Sequence, residues 1–468
     1  MTARVIIAAA HSGSGKTLLT AGLIGALRQR GLSIQPFKCG PDYIDPGHHS
    51  LVAQRQCRNL DAWLFSAEQL QRHFCHIAAN ADLAVIEGVM GLFDGYGALD
   101  DTGSTAHIAR LLQAPVVLVV DAGGMARSAA ALVAGFQHFD PQVQIGAVLL
   151  NKVGSARHAD LCASAIEQHT GIPCLGYLPR QAQFKLPERH LGLVTADSAK
   201  QTILVTLESV ATTLSSTCQL DRLLALAHTA PAIELEPLAT PTIEYSQRPV
   251  IAVAYDAAFS FIYPELHECL QAAGAEVALF SPITDQQLPA GCAGIILSGG
   301  YPELYAAELS TNQAMLDALR QAHASNMPIY AECGGLMYLT EAIVDHAGEC
   351  WPMVGLLPGA SSMQQRVSLG YRNVSSCHDN TLFSANNHVR GHEFHYSRWE
   401  NPEPSKAAYR VIAPDGKAQH HEGYQAGNLL ASYIHLHWLA NPSMAQRFVE
   451  TCHAWLEESQ FRSGRLDR

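Results

Sequence analysis

At 468 residues, 48% of them hydrophobic and 15% charged, the chain exceeds one ordinary domain and carries apolar material for two cores. A formal charge of -12 argues against non-specific binding to nucleic acid or to an anionic membrane, both of which need basic patches. No run approaches the roughly 20 apolar residues that span a bilayer, and the stretch after Arg4 is too short for a signal-peptide core, so a cytoplasmic protein is expected.

From the N-terminus, short apolar runs alternate with amphipathic stretches. Residues 5–10, 83–87, 115–121 and 145–151 read as buried strands, and 17–30 and 157–170 as helices. That alternation predicts a parallel sheet with helices on both faces. Ala10-His11-Ser12-Gly13-Ser14-Gly15-Lys16-Thr17 follows the first strand and opens the first helix, the setting a phosphate loop needs. Gly13, Ser14 and Gly15 can turn backbone N–H groups toward the phosphates of ATP, Lys16 can reach the β- and γ-phosphates, and the Thr17 hydroxyl suits Mg2+. The usual first glycine of the pattern is Ala10 here, while Gly13 and Gly15 preserve the tight turns.

Two acidic segments follow. Residues 38–46 place Lys38, Asp42 and Asp45 in one Gly/Pro turn, and residues 86–95 put Glu87 at the C-terminal end of a strand with Asp94 in the loop beyond. In parallel sheets that end is where ligands bind. Glu87 and Asp45 therefore suit Mg2+, which takes few carboxylates and completes its shell with phosphate oxygens. Lys38, Asp42, Asp45 and Asp94 are candidates for phosphoryl transfer or for placing the substrate. Each acid also has a plainer reading as a helix or turn cap.

Pro231, Pro237, Pro241 and Pro249 then punctuate a stretch without periodicity, giving an ATP-binding domain over 1–228, a linker over 229–248 and a second domain over 249–468. The second domain restarts the rhythm, with strands at 250–255, 276–280, 294–297 and 328–331 and a helix over 262–274. Twelve cysteines with no C-x-x-C pair argue against disulfides or a zinc ribbon.

One cysteine stands apart. Glu332-Cys333-Gly334-Gly335 runs from an apolar strand through a tight turn into a helix, which aims the sulfur outward at a helix N-terminus and favours thiolate. A thiolate attacking an amide needs N–H donors for the oxyanion, and Gly299, Gly300 and Gly334 could supply them. His435 is the candidate base. On a strand it would point the same way as His437, and an H-x-H pair can also be half of a zinc site, although no clear third ligand accompanies it. With 23 histidines in the chain, adjacent pairs such as His48-His49 and His420-His421 are unsurprising.

Seven segments together resemble the cobyrinic acid a,c-diamide synthases, glutamine-dependent enzymes of corrin biosynthesis, over essentially the whole chain. They are S-G-S-G-K-T (12–17), F-K-C-G-P-D-Y-I-D-P (37–46), I-E-G-V-M-G-L-F-D-G (86–95), S-G-G-Y-P-E (298–303), Y-A-E-C-G-G-L-M-Y-L (330–339), G-H-E-F-H-Y-S (391–397) and S-Y-I-H-L-H (432–437). The resemblance implies an α/β chain of two doubly wound domains. The first is a P-loop NTPase-like parallel sheet similar to dethiobiotin synthetase. The second is a class I glutamine amidotransferase-like, flavodoxin-like sheet. Cys333 is then the nucleophile and His435 its partner. Class I amidotransferases ordinarily carry a Glu two positions after that histidine; here the residue is His437, which leaves the orienting group unassigned.

The implied chemistry is phosphorylation of a substrate carboxylate by ATP with Mg2+, release of ammonia from glutamine at Cys333, and displacement of phosphate by that ammonia. Ammonia stays unprotonated only if shielded from water, so an enclosed path is expected. The partners implied are glutamine, ATP and a corrin polycarboxylate, with no nucleic acid and no membrane; a homodimer is left open. Hydrogenobyrinic acid or another tetrapyrrole is the alternative substrate. A regulatory P-loop ATPase with a dead amidotransferase domain is the rival of another class; such ATPases often add a lysine early in the loop, and residues 10–12 hold none.

Overall fold

Aliphatic runs bounded by Gly, Pro or polar residues form the strands of the first half. The structure, a computed structural model, describes residues 2–184, 197–235, 245, 247–400, 403–413 and 418–466. It divides into two compact units, Met1–Pro237 and Leu238–Arg468. Of the expected linker, residues 236–244 and 246 lie outside the described residues. The start of that stretch packs on the first unit, where the buried Arg4 guanidinium donates to the carbonyls of Leu112 (2.6 Å) and Pro231 (2.7 Å).

The first unit is built on β1 (Ala3–Ala9), β2 (Ile34–Cys39), β3 (Arg58–Leu60), β4 (Leu83–Glu87), β5 (Val116–Asp121), β6 (Ile145–Val153) and β7 (Cys174–Pro179). They make one parallel sheet in the order β3-β2-β4-β1-β5-β6-β7. Val5, Ile6 and Ile7 of β1 are all fully buried, as a central strand covered on both faces requires. The helix Lys16–Gln29 lies close against Asp197–Thr217 because Gly22 has no side chain: a Cβ there would meet Val210 at 2.5 Å.

The second unit contains β8 (Val250–Ala254), β9 (Glu276–Phe280), β10 (Cys292–Leu297), β11 (Ile329–Glu332), β18 (Tyr424–Ala426) and β19 (Leu429–Ser432), paired in the order β18-β19-β11-β10-β8-β9. All are parallel except the edge strand β18. The helix expected over 262–274 spans only Glu265–Ala272. Pro264 explains the late start, because a proline disfavours helical geometry in the residue before it.

A second sheet was not legible in the sequence. β12 (Thr340–Val344), β13 (Cys350–Pro352), β14 (Leu357–Ser376), β15 (His388–Arg398) and β20 (His435–Leu436) pair in the order β13-β12-β14-β15-β20, with β16 (Tyr409–Ile412) added beside β14 and β17 (Ala418–Glu422) beside β16. β14 is largely exposed or half-buried along its middle, so the apolar alternation that signals a strand is missing from it. Among the described residues no helix is long and apolar enough to cross a membrane.

Candidate active sites

The phosphate loop connects β1 to the helix beginning at Lys16, and its glycines are needed for their backbone. Gly13 and Gly15 have φ of +79° and +90°, the left-handed region that side chains disfavour. A Cβ on Gly15 would also meet the Asn151 amide at 2.1 Å, and that amide donates to the Ser14 carbonyl at 2.8 Å. Lys16 is buried and donates to the carbonyls of His11 (3.3 Å) and Met90. Burial pushes its ammonium below the ordinary lysine value, with Glu87 pulling the other way. Loop and carboxylates line one cavity of about 820 Å3 that includes Lys16, Thr17, Lys38, Asp42, Asp45 and Glu87.

Register brings the acids together. Lys38 on β2 lies directly opposite Glu87 on β4, both at the C-terminal ends of their strands. The Lys38 ammonium contacts Asp45, Glu87 (3.1 Å) and Asp42 (3.6 Å). The Thr17 hydroxyl lies 2.7 Å from Glu87 and 3.2 Å from Asp45. Burial alone would depress the Lys38 ammonium, but Glu87, Asp45 and Asp42 outweigh it and hold it well above its ordinary value. Burial opposes ionisation of Asp45 and Glu87 as well, yet Lys38 keeps both below the usual carboxylate range. Asp42 goes the other way: burial and the neighbouring Asp45 raise it to about 6. Its carboxylate caps the next helix by accepting N–H groups of Ile44 (2.8 Å) and Asp45 (3.0 Å).

Asp94 is not among the residues lining that cavity. Its carboxylate closes the 91–94 turn by accepting the Gly91 N–H at 2.9 Å, next to the Met90 carbonyl that holds Lys16. The His48-His49 pair, expected to be incidental, is not: His49 is fully buried with its Nε2 on the Glu87 carboxylate. Nothing in local sequence signals that contact, which joins a helix to a strand 38 residues away.

The oxygen donors fit Mg2+. A hydroxyl and two carboxylates converge beside the phosphate loop, as a hard cation that retains phosphate and water ligands requires. Among the described residues no three or more His, Cys, Asp or Glu form a metal cage of their own.

In the second unit, β11 ends at Glu332 and the helix Gly334–Leu339 begins one residue later. Cys333 makes the turn with φ 48° and ψ -101°, a conformation costing about 1–3 kcal/mol for a residue with a Cβ. Close packing enforces it: a Cβ on Gly335 would meet the Leu297 carbonyl at 2.3 Å, and one on Gly334 the Gly300 nitrogen at 3.0 Å. Gly299 lies against the His435 ring, where an added Cβ would meet Cε1 at 2.5 Å. The glycine loop after β10, the elbow and His435 thus converge.

His435 is hydrogen-bonded to Cys333, and its Nδ1 lies 3.5 Å from Glu332. Burial works against the imidazolium, but Cys333 and then Glu332 outweigh it and carry His435 to about 10. The H-x-H pair is divided between two partners. β20 is only two residues long, and His437 starts a 3-10 turn with its Nε2 3.7 Å from Glu265 and its ring 4.4 Å from that of Tyr263. The two histidines therefore address different carboxylates. The 391–397 segment, unplaced by sequence, lies on β15, where His392 stacks parallel to His435 at 4.9 Å. A thiol, an imidazole and a carboxylate in this sequence of contacts can perform nucleophilic attack on an amide.

Comparison with known proteins gives both units a family. Residues 5–194 match the CobQ/CobB/MinD/ParA nucleotide binding domain, and residues 250–443 the CobB/CobQ-like glutamine amidotransferase domain. The chain is 46% identical to the cobyrinate a,c-diamide synthase of Dehalococcoides mccartyi (strain CBDB1), over 95% of this chain and 97% of that one. It is 42% identical to the cobyrinate a,c-diamide synthase of Salmonella typhimurium, over 95% and 97%. To the hydrogenobyrinate a,c-diamide synthase of Streptomyces coelicolor it is 41% identical, over 96% and 97%. With a nucleotide-binding unit and an amidotransferase unit matched nearly end to end, the chain belongs to the a,c-diamide synthase family of glutamine-dependent, amide-forming ligases.

Proposed function

We propose that this chain converts the a- and c-carboxylates of cobyrinic acid into amides, using ATP and glutamine, by way of an acyl phosphate. The observation that carries the reading is the presence in one chain of a phosphate loop facing clustered carboxylates and a strained cysteine hydrogen-bonded to a buried histidine. Hydrogenobyrinic acid is the second reading, favoured by the 41% identity to the Streptomyces coelicolor synthase.

A carboxylate does not expel oxide near neutral pH, so activation must come first. In this reading the carboxylate oxygen attacks the γ-phosphorus of ATP, ADP leaves, and Lys16 and Lys38 offset charge on the transferring group. Thr17, Asp45 and Glu87 would hold Mg2+, which when bound neutralises phosphate charge. Asp42 caps the helix that carries Asp45, and Asp94 shapes the loop that holds Lys16.

At the second site, His435 takes the Cys333 proton and the thiolate attacks the side-chain amide carbon of glutamine. The N–H groups of Gly300 and Gly334, with the Gly299 turn between them and His435, face the developing oxyanion. His435 returns the proton to the departing ammonia, leaving a thioester. Water, deprotonated by His435, then releases glutamate and restores the thiol. The ammonia displaces phosphate from the acyl phosphate, giving one amide per cycle and two per product.

Mass spectrometry of reactions containing ATP, Mg2+, glutamine and either macrocycle tests the reading. Two successive amidations of one macrocycle support it and identify the substrate. ATP hydrolysis without amidation of either macrocycle overturns it.

A further inference from the structure

The carboxylate that faces His435 comes from the residue before the nucleophile. We propose that Glu332 is the positioning residue of the glutaminase, holding the imidazole with Nδ1 turned to its carboxylate and Nε2 toward Cys333. The inference rests on the reading of Cys333 as nucleophile given above.

Three observations carry it. First, Glu332 is clamped to the strand that bears the histidine. Its Oε1 accepts the Leu436 N–H at 3.1 Å and the Tyr330 hydroxyl, which leaves Oε2 for His435. The 3.5 Å separation from Nδ1 is longer than a mature hydrogen bond, as is common before substrate binds. Second, the position that ordinarily supplies the carboxylate holds His437, whose ring is committed elsewhere, beside Glu265 and Tyr263. Third, the remaining face of His435 is covered by the parallel ring of His392, whose Nε2 lies 2.9 Å from the Tyr263 hydroxyl. Burial, followed by the nearby His435 and His437, keeps His392 well below the ordinary histidine value, so it offers His435 a neutral surface.

Cys333, Glu332 and His392 face His435, with His395 near enough to feel its charge, and Glu332 supplies the negative charge behind the ring. Glu332, one residue before the cysteine, would take the part ordinarily filled by a carboxylate two residues after the histidine, since its Oε2 is the carboxylate oxygen beside Nδ1. The backbone does the relocating: β11 runs parallel to β19 with Glu332 opposite Ser432, three residues ahead of His435.

Glu332→Gln tests the assignment, since the amide keeps the shape and can retain both Oε1 contacts while losing the charge. We expect glutaminase kcat to fall by about 100-fold, less than the roughly 10,000-fold lost with a closely hydrogen-bonded orienting carboxylate, because Glu332 stands 3.5 Å from Nδ1, with little change in KM. The alkaline limb of its pH profile should move to lower pH, because the imidazolium loses its counter-charge. Ammonium-driven amidation should continue at the wild-type rate. Glu332→Asp, which keeps the charge one methylene shorter, should recover part of kcat and the wild-type limb. Glu265→Gln should leave both unchanged. An unshifted pH profile and wild-type kcat in Glu332→Gln would overturn the proposal, as would the same loss and shift in Glu265→Gln. If Cys333→Ala itself retains glutamine-dependent amidation, the nucleophile reading beneath the proposal fails instead.

Discussion

Replacing Lys38 by methionine removes the ammonium around which Asp42, Asp45 and Glu87 are grouped, while keeping an unbranched stem to fill the space. Lys38 is 3% and Glu87 0% exposed, so the variant strands a fully desolvated carboxylate. Breaking a buried pair by removing one partner costs about 3–5 kcal/mol. The structure argues for the low end: the Asp42 and Asp45 side chains are 29% and 24% exposed, and His49 still faces Glu87. A loss of about 3 kcal/mol raises the population of open states roughly a hundredfold.

The pH dependence should reverse sign in that variant. In the wild type, Glu87 and Asp45 titrate below their unfolded values, so their contribution is present above about pH 4.5 and lost as pH falls through the folded values. Without Lys38, burial and the neighbouring Asp45 together outweigh the remaining pull of His49 on Glu87 and lift it above the unfolded value. Stability is then regained as pH falls, and the deficit against wild type narrows between about pH 8 and pH 5. Amide hydrogen exchange over β2 and β4, compared at matched pH, reads both the size and the slope. Wild-type protection at about pH 8, or a deficit that does not narrow toward about pH 5, would refute the claim that Lys38 holds these carboxylates charged.

Cys333→Ala should abolish glutamine-dependent amidation and leave amidation driven by ammonium salts, measured side by side; loss of both would sink the division of labour. Lys16→Ala should stop amidation with either nitrogen source, and normal turnover would remove the phosphate loop from the mechanism. Asp42→Asn keeps the helix cap, since an amide oxygen can accept the same two N–H groups. Because burial raises Asp42 to about 6, ionising it opposes folding. The Asn variant should therefore be more stable than wild type at about pH 8 and lose that advantage below about pH 4, as followed by urea unfolding.

Both turns proposed to carry chemistry were legible in the sequence because each joins a continuous apolar strand to a helix through small residues, leaving few other conformations for Lys16 and Cys333. Glu87 was legible for a related reason: it ends a buried strand. What escaped was tertiary. His49 meets Glu87 and Glu332 meets His435 only because parallel strands and their helices bring distant residues to one edge, and neither pairing leaves a local period. The mixed sheet built around β14 escaped for want of pattern. Half-exposed strands such as β14, rich in Ser, Gln and Gly, lack the alternation from which strands are read. The late start of the Glu265–Ala272 helix follows from Pro264, which disfavours helical geometry at Tyr263.

The backbone at Cys333 has an evolutionary consequence. Its left-handed φ suits glycine, so selection for folding alone would pull this position away from cysteine, and only retained catalysis opposes that drift. If Cys333 is the nucleophile proposed above, a gene copy released from the need to hydrolyse glutamine would lose it without unfolding, and would survive as a ligase fed by free ammonia. Decay of this family should therefore begin at the elbow and spare the phosphate loop, whose own left-handed positions are already glycine.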